Sequence, residues 1–161
     1  MNDKQKIVTF LWFDGNAEEA AKFYVSVFNN SRITNVARYG DTGPGRAGSV
    51  MTVTFQLDGQ ELVGLNGGPQ FKFTEAISLV AKCDSQAEVD RLWSRLTADG
   101  GREVECGWLK DKFGLSWQIV PSALLAMIND PDQAKVDRAM AAMMKMKKLD
   151  LARLEQAYRG A

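Results

Sequence analysis

The feature that most constrains the fold is a pattern that occurs twice, 69 positions apart. A polar residue suited to capping a helix, an acidic residue three positions later and four apolar positions at helical spacing recur in the same order. The first set is Asn16, Glu19, Ala20, Phe23, Tyr24 and Val27, and the second is Ser85, Glu88, Val89, Leu92, Trp93 and Leu96. One strand-like segment precedes each set and three follow it, which predicts an internal duplication of a βαβββ module.

The first module is predicted over about residues 7–68. Apolar runs and alternating apolar and polar residues predict strands over 7–13, 32–39, 50–57 and 60–65, around a helix over 16–28. Asn16 and Glu19 are expected to form a capping box, and Asp58-Gly59 predicts a two-residue hairpin turn. The glycine-rich segment 40–48 predicts a flexible loop, with a lid over a pocket as the alternative.

The second module is predicted over about residues 75–120. Its strands are expected over 75–82, 102–106, 108–110 and 115–120, and its helix is expected to begin at a capping box of Ser85 and Glu88. A helical extension over about 121–160 follows, with Asp130 and Asp150 as predicted helix caps. The sequence therefore predicts an α+β protein in which residues 1–161 form a single unit.

The balance of charged residues and the lack of long apolar runs bear on which partners the chain could bind. Lys plus Arg and Asp plus Glu each number 20, so the net charge is zero and gives no reason to expect nucleic acid or an anionic membrane as a partner. No apolar run reaches the ~20 residues of a membrane span, and the polar first residues lack a signal-peptide pattern. The expected location is the cytoplasm. Cys83 and Cys106 are too far apart for a CxxC motif and are expected to be buried thiols.

The chain contains no histidine. This composition excludes every Ser-His or Cys-His nucleophile pair and the commonest metal ligand in proteins. It also argues against a divalent metal, although carboxylates and amides could still hold a hard cation. No cofactor is predicted.

Strand alternation suggests where a ligand could lie. On the strand over 50–57 the apolar residues require a helix to cover them, so Thr52 and Thr54 are expected on the other face, against either a ligand or solvent. Alternation also places Trp117 under a helix if Gln118 points into a pocket. Trp108 is the tryptophan that we most readily assign to a pocket wall.

Several segments together resemble one known family. They are FLWFDGNAEEAAKFY, YGDTGPGRAGSVMTVTFQLDGQ, LNGGPQFKF, AISLV, CGWLKDKFGLSWQIVP and MMKMKKLDLARLEQAY. They resemble the PhnB-like family, also labelled 3-demethylubiquinone-9 3-methyltransferase-like, of the vicinal oxygen chelate superfamily with its glyoxalases, dioxygenases and bleomycin-resistance proteins. The resemblance implies two βαβββ modules that curl into a glyoxalase-like cup, and a homodimer.

The resemblance also implies positions for a site. The superfamily usually binds a divalent metal through His, Gln or Glu on the first and last strands of the modules, and these positions fall at or near Thr9, Asn66, Ser78 and Gln118. Only Gln118 is of a type that the superfamily uses, and neutral Thr, Ser and Asn oxygens are weak ligands. Gln70 stands where the resemblance leads us to expect a histidine after the Gly-Gly-Pro turn.

The leading functional hypothesis is that the protein binds a small organic molecule, without a metal, in the cup between the modules. The predicted pocket residues are Thr9, Thr52, Thr54, Asn66, Gln70, Ser78, Trp108 and Gln118. One alternative is an enzyme, through metal-assisted isomerase or lyase chemistry or through the methyl transfer that the family label suggests. Another is a protein that works through protein contacts, with its cup filled by side chains.

Overall fold

The chain divides into two compact units, Met1–Lys72 and Phe73–Ala161. The computed structural model describes residues 5–160. Each unit contains one four-stranded mixed sheet with helices packed on it, so the predicted α+β class with two modules is confirmed.

The first unit has the element order of the predicted module. Strand β1 (Thr9–Phe13) leads into helix α1 (Ala17–Val27), and strands β2 (Arg32–Arg38), β3 (Val50–Leu57) and β4 (Gln60–Asn66) follow. The sheet order is β1-β4-β3-β2, in which β1 and β4 are parallel and the other neighbours are antiparallel. The parallel pair brings the C-terminal ends of β1 and β4 to the same edge of the sheet.

The second unit repeats this arrangement. Strand β5 (Ser78–Cys83) precedes helix α2 (Gln86–Thr97), and strands β6 (Arg102–Glu103), β7 (Trp108–Lys110) and β8 (Ser116–Pro121) follow. The order β5-β8-β7-β6, with β5 parallel to β8, is the order of the first sheet. The predicted strand over 102–106 is shorter than expected, because Cys106 has a left-handed φ of 58° that interrupts the extended backbone.

Three helices complete the second unit. They are α3 (Ser122–Met127), α4 (Gln133–Met143) and α5 (Leu151–Arg159). Their apolar faces meet in a cluster that contains Val120 at the end of β8 and the fully buried Leu149 and Leu154. This cluster gives the C-terminal helices a core of their own. Among the residues described, no helix is long and apolar enough to cross a membrane.

The capping predictions have different outcomes. The side-chain oxygen of Ser85 accepts a hydrogen bond from the Glu88 amide at 3.2 Å, as predicted for α2. Asp150 caps α5 by accepting from the Arg153 amide at 3.1 Å. The prediction for α4 was wrong by two positions, because its cap is Asp132, while Asp130 accepts from the Asp132 amide and shapes the preceding turn.

The prediction that Asn16 caps α1 was also wrong. The Asn16 side chain makes no capping hydrogen bond, and its backbone angles (φ −111°, ψ 22°) differ from the extended conformation usual at that position. The cap of α1 comes instead from Asn66, at the end of β4. Sequence spacing could not indicate this bond, because its partners lie 49 positions apart.

The hairpin between β3 and β4 forms as predicted. Asp58 and Gly59 have φ angles of 46° and 81°, the two positive values that a type I′ turn requires. This turn sets the register of the hairpin, in which Leu57 pairs with Gln60 and Thr54 with Val63. The register in turn decides which strand residues share a face of the first sheet.

Candidate functional site

Helix α1 covers one face of the first sheet. The ring of Tyr24 stacks on that of Phe55 at 6.1 Å between centroids, and both residues are buried together with Val53. Because successive residues of a strand point to opposite faces, Thr52 and Thr54 lie on the other face, which we call the open face. Thr52 is half-buried there and Thr54 is buried.

Thr9 lies on the face that α1 covers. Thr9 pairs with Leu62 on β4, and Leu62 pairs with Phe55 on β3. Because directly paired residues point to the same side of a sheet, Thr9 lies on the same side as Phe55, under α1. The structure therefore does not bring Thr9 together with Thr52 and Thr54. The open face of β1 carries Phe10, which is 56% exposed, and Trp12.

Asn66 uses both side-chain polar atoms within the fold. Its Oδ1 accepts from the Ala17 amide at 2.9 Å, and its Nδ2 donates to the Val50 carbonyl at 3.1 Å. Its backbone carbonyl accepts from the Tyr39 hydroxyl at 2.7 Å. Asn66 thus joins α1 to β3, which is a structural role for a residue that was predicted to line a ligand pocket.

The Gly-Gly-Pro turn wraps around Trp12. The indole Nε1 donates to the Gly68 carbonyl at 2.8 Å, and a Cβ atom at Gly67 would overlap the indole ring. Phe71 meets the same indole edge-on, at 4.9 Å between ring centroids and 79° between ring planes, and is 65% exposed. Gln70 is exposed in this turn, with its side-chain oxygen folded back toward Gly68.

In the second unit, three predicted site residues share one face. Trp108 pairs directly with Gln118, and the Gln118 Nε2 donates to the Ser78 hydroxyl at 2.9 Å. Trp117 lies on the opposite face, where it is buried beside Leu109 under α2, as predicted. Ser78, Trp108 and Gln118 therefore form a polar and aromatic patch on the open face of the second sheet.

Thr9 lies on the helix-covered face of the first sheet, whereas Ser78 lies on the open face of the second sheet. A difference of one residue between the two modules explains this. The last strand residue is three positions before the cap position in the first module (Phe13 and Asn16) and two positions before it in the second (Cys83 and Ser85). The helices therefore correspond at an offset of 69 positions, and the strands at 70, from Phe13 to Cys83. A shift of one residue moves a strand side chain to the other face of its sheet.

The first unit contains a cavity of about 370 Å³, which we call the Tyr39 cavity. It lies at the edge where β1 and β4 end, beside the first turn of α1. Its lining consists of Asp14, Gly15, Glu18, Tyr39, Pro44, Gly45, Ser49, Val50, Asn66, Gly67 and Gly68. Of the eight predicted pocket residues, only Asn66 belongs to it.

The glycine-rich segment forms one wall of the Tyr39 cavity. Tyr39 is anchored by its hydroxyl on the Asn66 carbonyl and by backbone hydrogen bonds with Gly48 and Ser49. Gly43 and Gly45 lie against opposite edges of the Tyr39 ring, where a Cβ atom at either position would overlap the ring. The glycines therefore allow the segment to pack closely around Tyr39, a role that the interpretation as a flexible loop missed.

The charges at the Tyr39 cavity are negative. Asp14 and Glu18 contribute carboxylates, and the lining contains no Lys or Arg. The Lys22 ammonium, 2.9 Å from the Glu18 carboxylate, holds the pKa of Glu18 below its ordinary value by hydrogen bonding and by charge attraction. Lys22 offsets the charge of Glu18, so Asp14 supplies the carboxylate that a cation or a hydrogen-bond donor would meet in this cavity.

Comparison with known proteins identifies the family. The sequence model of the family described as 3-demethylubiquinone-9 3-methyltransferase matches residues 5–120, most of the chain. The chain belongs to this family. The PhnB protein from Bacillus cereus is 39% identical over 73% of this chain and 100% of its own, with a TM-score of 0.67.

Two less similar solved structures share the fold alone. A protein from Pseudomonas aeruginosa is 23% identical over 73% of this chain and 97% of its own, with a TM-score of 0.60. The fosfomycin resistance protein FosX from Mesorhizobium loti is 15% identical over 73% of this chain and 90% of its own, with a TM-score of 0.52. These likenesses confirm the predicted vicinal oxygen chelate fold. No curated protein matches the chain.

The positions that the resemblance implies for a metal do not fit one here. Thr9 faces α1, and the Asn66 amide is occupied by its two backbone partners. Ser78 and Gln118 bond to each other, and both are neutral. Within residues 5–160, no three His, Cys, Asp or Glu side chains are grouped so that they could hold a metal ion.

The two cysteines of this family member differ in environment. Cys83 is buried at the end of β5, and burial raises the pKa of its thiol to about 12. Cys106 is half-buried, with its Sγ 3.6 Å from the Sδ of Met144. The prediction of two buried thiols therefore holds for Cys83 and was wrong for Cys106, because the left-handed backbone at Cys106 turns the chain at the sheet edge.

Proposed function

We propose that this protein binds a small organic molecule in the Tyr39 cavity and does so without a metal. The observation that carries the proposal is the cavity itself, whose volume of about 370 Å³ lies in the range of small-molecule sites. Its walls come from the ends of β1 and β4, the start of α1 and the glycine-rich segment. Asn66 joins these elements through hydrogen bonds with the Ala17 amide, the Tyr39 hydroxyl and the Val50 carbonyl. A site built on such fixed elements loses little entropy when a ligand binds.

The chemistry of the lining indicates the class of ligand. The carboxylates of Asp14 and Glu18 suit an amine or another cationic group, and the hydroxyls of Tyr39 and Ser49 can bond to polar atoms. Pro44 and Val50 add apolar surface for a hydrocarbon portion. A small molecule with one cationic end and one apolar end fits these features best.

We also propose that the protein works as a homodimer. The support is apolar surface on the first unit, where Phe10 is 56% exposed and Phe71 is 65% exposed beside Trp12. Large apolar side chains grouped at a surface are typical of sites that another protein covers. Sedimentation equilibrium tests this point, since a monomer at micromolar concentration would contradict it.

A calorimetric titration with matched cationic, neutral and anionic small molecules tests the binding proposal. The cationic compounds should bind, and the double variant Asp14→Asn with Glu18→Gln should bind them at least tenfold more weakly. The control is Asp58→Asn with Asp99→Asn, which removes two charges at left-handed positions that asparagine tolerates. Equal weakening in both double variants, or a preference for anions, would contradict the proposal.

The second candidate function is methyl transfer, which the description of the matching family favours. The methyl donor S-adenosylmethionine carries a sulfonium and an amine, two cations that the carboxylates of the Tyr39 cavity would attract. Binding of this donor, together with its conversion to the demethylated product when phenolic acceptors are added, would favour the enzyme. Binding of other cations without any turnover would favour a binding protein.

A further inference from the structure

The C-terminal helices form a second cavity, of about 440 Å³, in the second unit. We call it the lysine cavity. Its lining consists of Gln86, Asp90, Lys145, Met146, Lys147, Lys148, Asp150 and Arg153. Six of these eight residues lie beyond residue 120, where the match to the family model ends. The cavity therefore lies mainly in the C-terminal helical segment, outside the residues that the family model matches.

The lining has an excess of positive charge. Lys145, Lys147, Lys148 and Arg153 contribute four cations, and Asp90 and Asp150 contribute two carboxylates, so the excess is two charges in a chain whose net charge is zero. Clustered cations in a concave surface raise the local concentration of anions.

Both carboxylates of the lysine cavity already have partners. Asp90 accepts from Gln86 at 3.0 Å and pairs with Lys148 at 2.8 Å, and these contacts hold the pKa of Asp90 below its ordinary value. Asp150 caps α5 and lies 3.6 Å from the Arg153 guanidinium. Within the part of the chain that the structure describes, neither Lys145 nor Lys147 forms an ion pair. These two exposed lysines remain available to an anion from solution.

The backbone that carries the lysines is fixed. The carbonyls of Met146 and Lys147 accept from the amides of Cys106 and Gly107 at 2.8 and 2.7 Å, and Leu149 between the lysines and α5 is fully buried. A Cβ atom at Gly107 would lie 2.9 Å from the Leu149 side chain, so the absent side chain permits this close packing.

Gln86 closes the cavity from the side of α2. Its Nε2 donates to the Leu149 carbonyl at 3.0 Å, and its Oε1 accepts from the Leu151 amide at 2.8 Å. The segment between α4 and α5 is therefore bonded to α2 as well as to the backbone at 106–107. Such anchoring holds the backbone that carries the cations before any ligand arrives, which lowers the entropic cost of ordering this segment on binding.

From these features we propose that the lysine cavity binds the phosphate group of a small phosphorylated molecule. A phosphate group offers several charged oxygens to clustered ammonium groups, and Arg153 can add a two-pronged contact. The volume of about 440 Å³ accommodates a phosphate together with the organic group that it is attached to. This site is independent of the Tyr39 cavity, which favours cations.

Titration with inorganic pyrophosphate and with glycerol phosphate, at constant ionic strength, tests the inference. Both probes should bind to the wild-type protein, and the double variant Lys145→Gln with Lys147→Gln should bind them at least tenfold more weakly. Tighter binding of glycerol phosphate than of inorganic phosphate, titrated as a third probe, would support an organic phosphate as the ligand. The control Lys72→Gln with Lys82→Gln removes two exposed lysines outside the cavity and should bind as the wild type does.

Nuclear magnetic resonance locates the site independently of affinity. Pyrophosphate should shift the backbone amide signals of Lys147 and Leu151, and these shifts should disappear in the Lys145 and Lys147 double variant. Equal weakening in the two double variants, shifts confined to other regions, or no binding at millimolar pyrophosphate would overturn the inference.

Discussion

Asn66 at the end of β4 caps helix α1 by accepting a hydrogen bond from the Ala17 amide at 2.9 Å. Replacement of Asn66 by alanine should lower the free energy of unfolding by about 1–3 kcal/mol, because the helix loses its cap and the Val50 carbonyl loses its donor. Urea unfolding measures the change. The control is Asn16→Ala, expected to cost under about 0.5 kcal/mol since Asn16 makes no capping bond. A larger loss for Asn16 than for Asn66 would contradict this assignment of the cap.

Gly67 allows the Gly-Gly-Pro turn to close over Trp12. Alanine at this position should destabilise the protein by about 1–3 kcal/mol, because its Cβ atom would overlap the indole ring. It should also shift the indole N–H resonance of Trp12, which is bonded to the Gly68 carbonyl. Gly40→Ala serves as the control, since Gly40 has open space around it, and its effect should stay within about 0.5 kcal/mol. Equal effects at the two glycines would be evidence against the close packing at Trp12.

The two thiols should react at different rates. Burial raises the pKa of Cys83 to about 12, so this thiol has almost no reactive thiolate near neutral pH. Alkylation of the native protein followed by peptide mass spectrometry should find the label on Cys106 first and on Cys83 only after unfolding. Rapid labelling of Cys83 in the folded protein would show that the end of β5 is not buried as described.

The contact between Tyr158 and Asp130 should make stability depend on pH at both extremes. The hydrogen bond from the Tyr158 hydroxyl lowers the pKa of Asp130 and raises that of Tyr158. The contact therefore stabilises the fold above the ordinary pKa of the carboxyl, and this contribution is lost as pH falls through the lowered value. On the alkaline side, the contribution is present below the ordinary tyrosine pKa and is lost as pH rises through the raised value.

Tyr158→Phe removes both effects. Thermal unfolding as a function of pH should show a flatter profile for this variant than for the wild type at the acid and the alkaline ends. Asp130→Asn removes the ionisable carboxyl and should flatten the profile at the acid end, while its remaining acceptor oxygen for the Tyr158 hydroxyl should preserve part of the dependence at the alkaline end. Unchanged profiles in both variants would mean that this contact does not contribute to the pH dependence.

The sequence predicted the architecture well because the signals for it are local. The alternation in residues 50–57 and the Asp58-Gly59 turn define the β3–β4 hairpin without knowledge of any distant contact. The repeated helix pattern predicted two modules, and both sheets have the same strand order. Resemblance to the family then supplied the arrangement of strands that periodicity alone does not determine.

The site was less predictable because it depends on contacts between distant segments and on strand register. The resemblance placed Thr9 and Ser78 in one site, but Thr9 lies on the face that α1 covers and Ser78 on the open face of its own sheet, because the strands correspond at an offset of 70 rather than 69. The Tyr39 cavity depends on a hydroxyl that reaches Asn66, 27 positions away. The glycines around Tyr39 were visible in the sequence, but their contact with its ring was not.

Native mass spectrometry, combined with elemental analysis of the same purified sample, most directly tests the proposal that the chain's own side chains hold a small ligand without a metal. We predict protein free of stoichiometric metal that takes up a cationic ligand equally well before and after treatment with a chelator. A divalent metal at one equivalent per chain, with ligand uptake that disappears on chelation, would contradict the account.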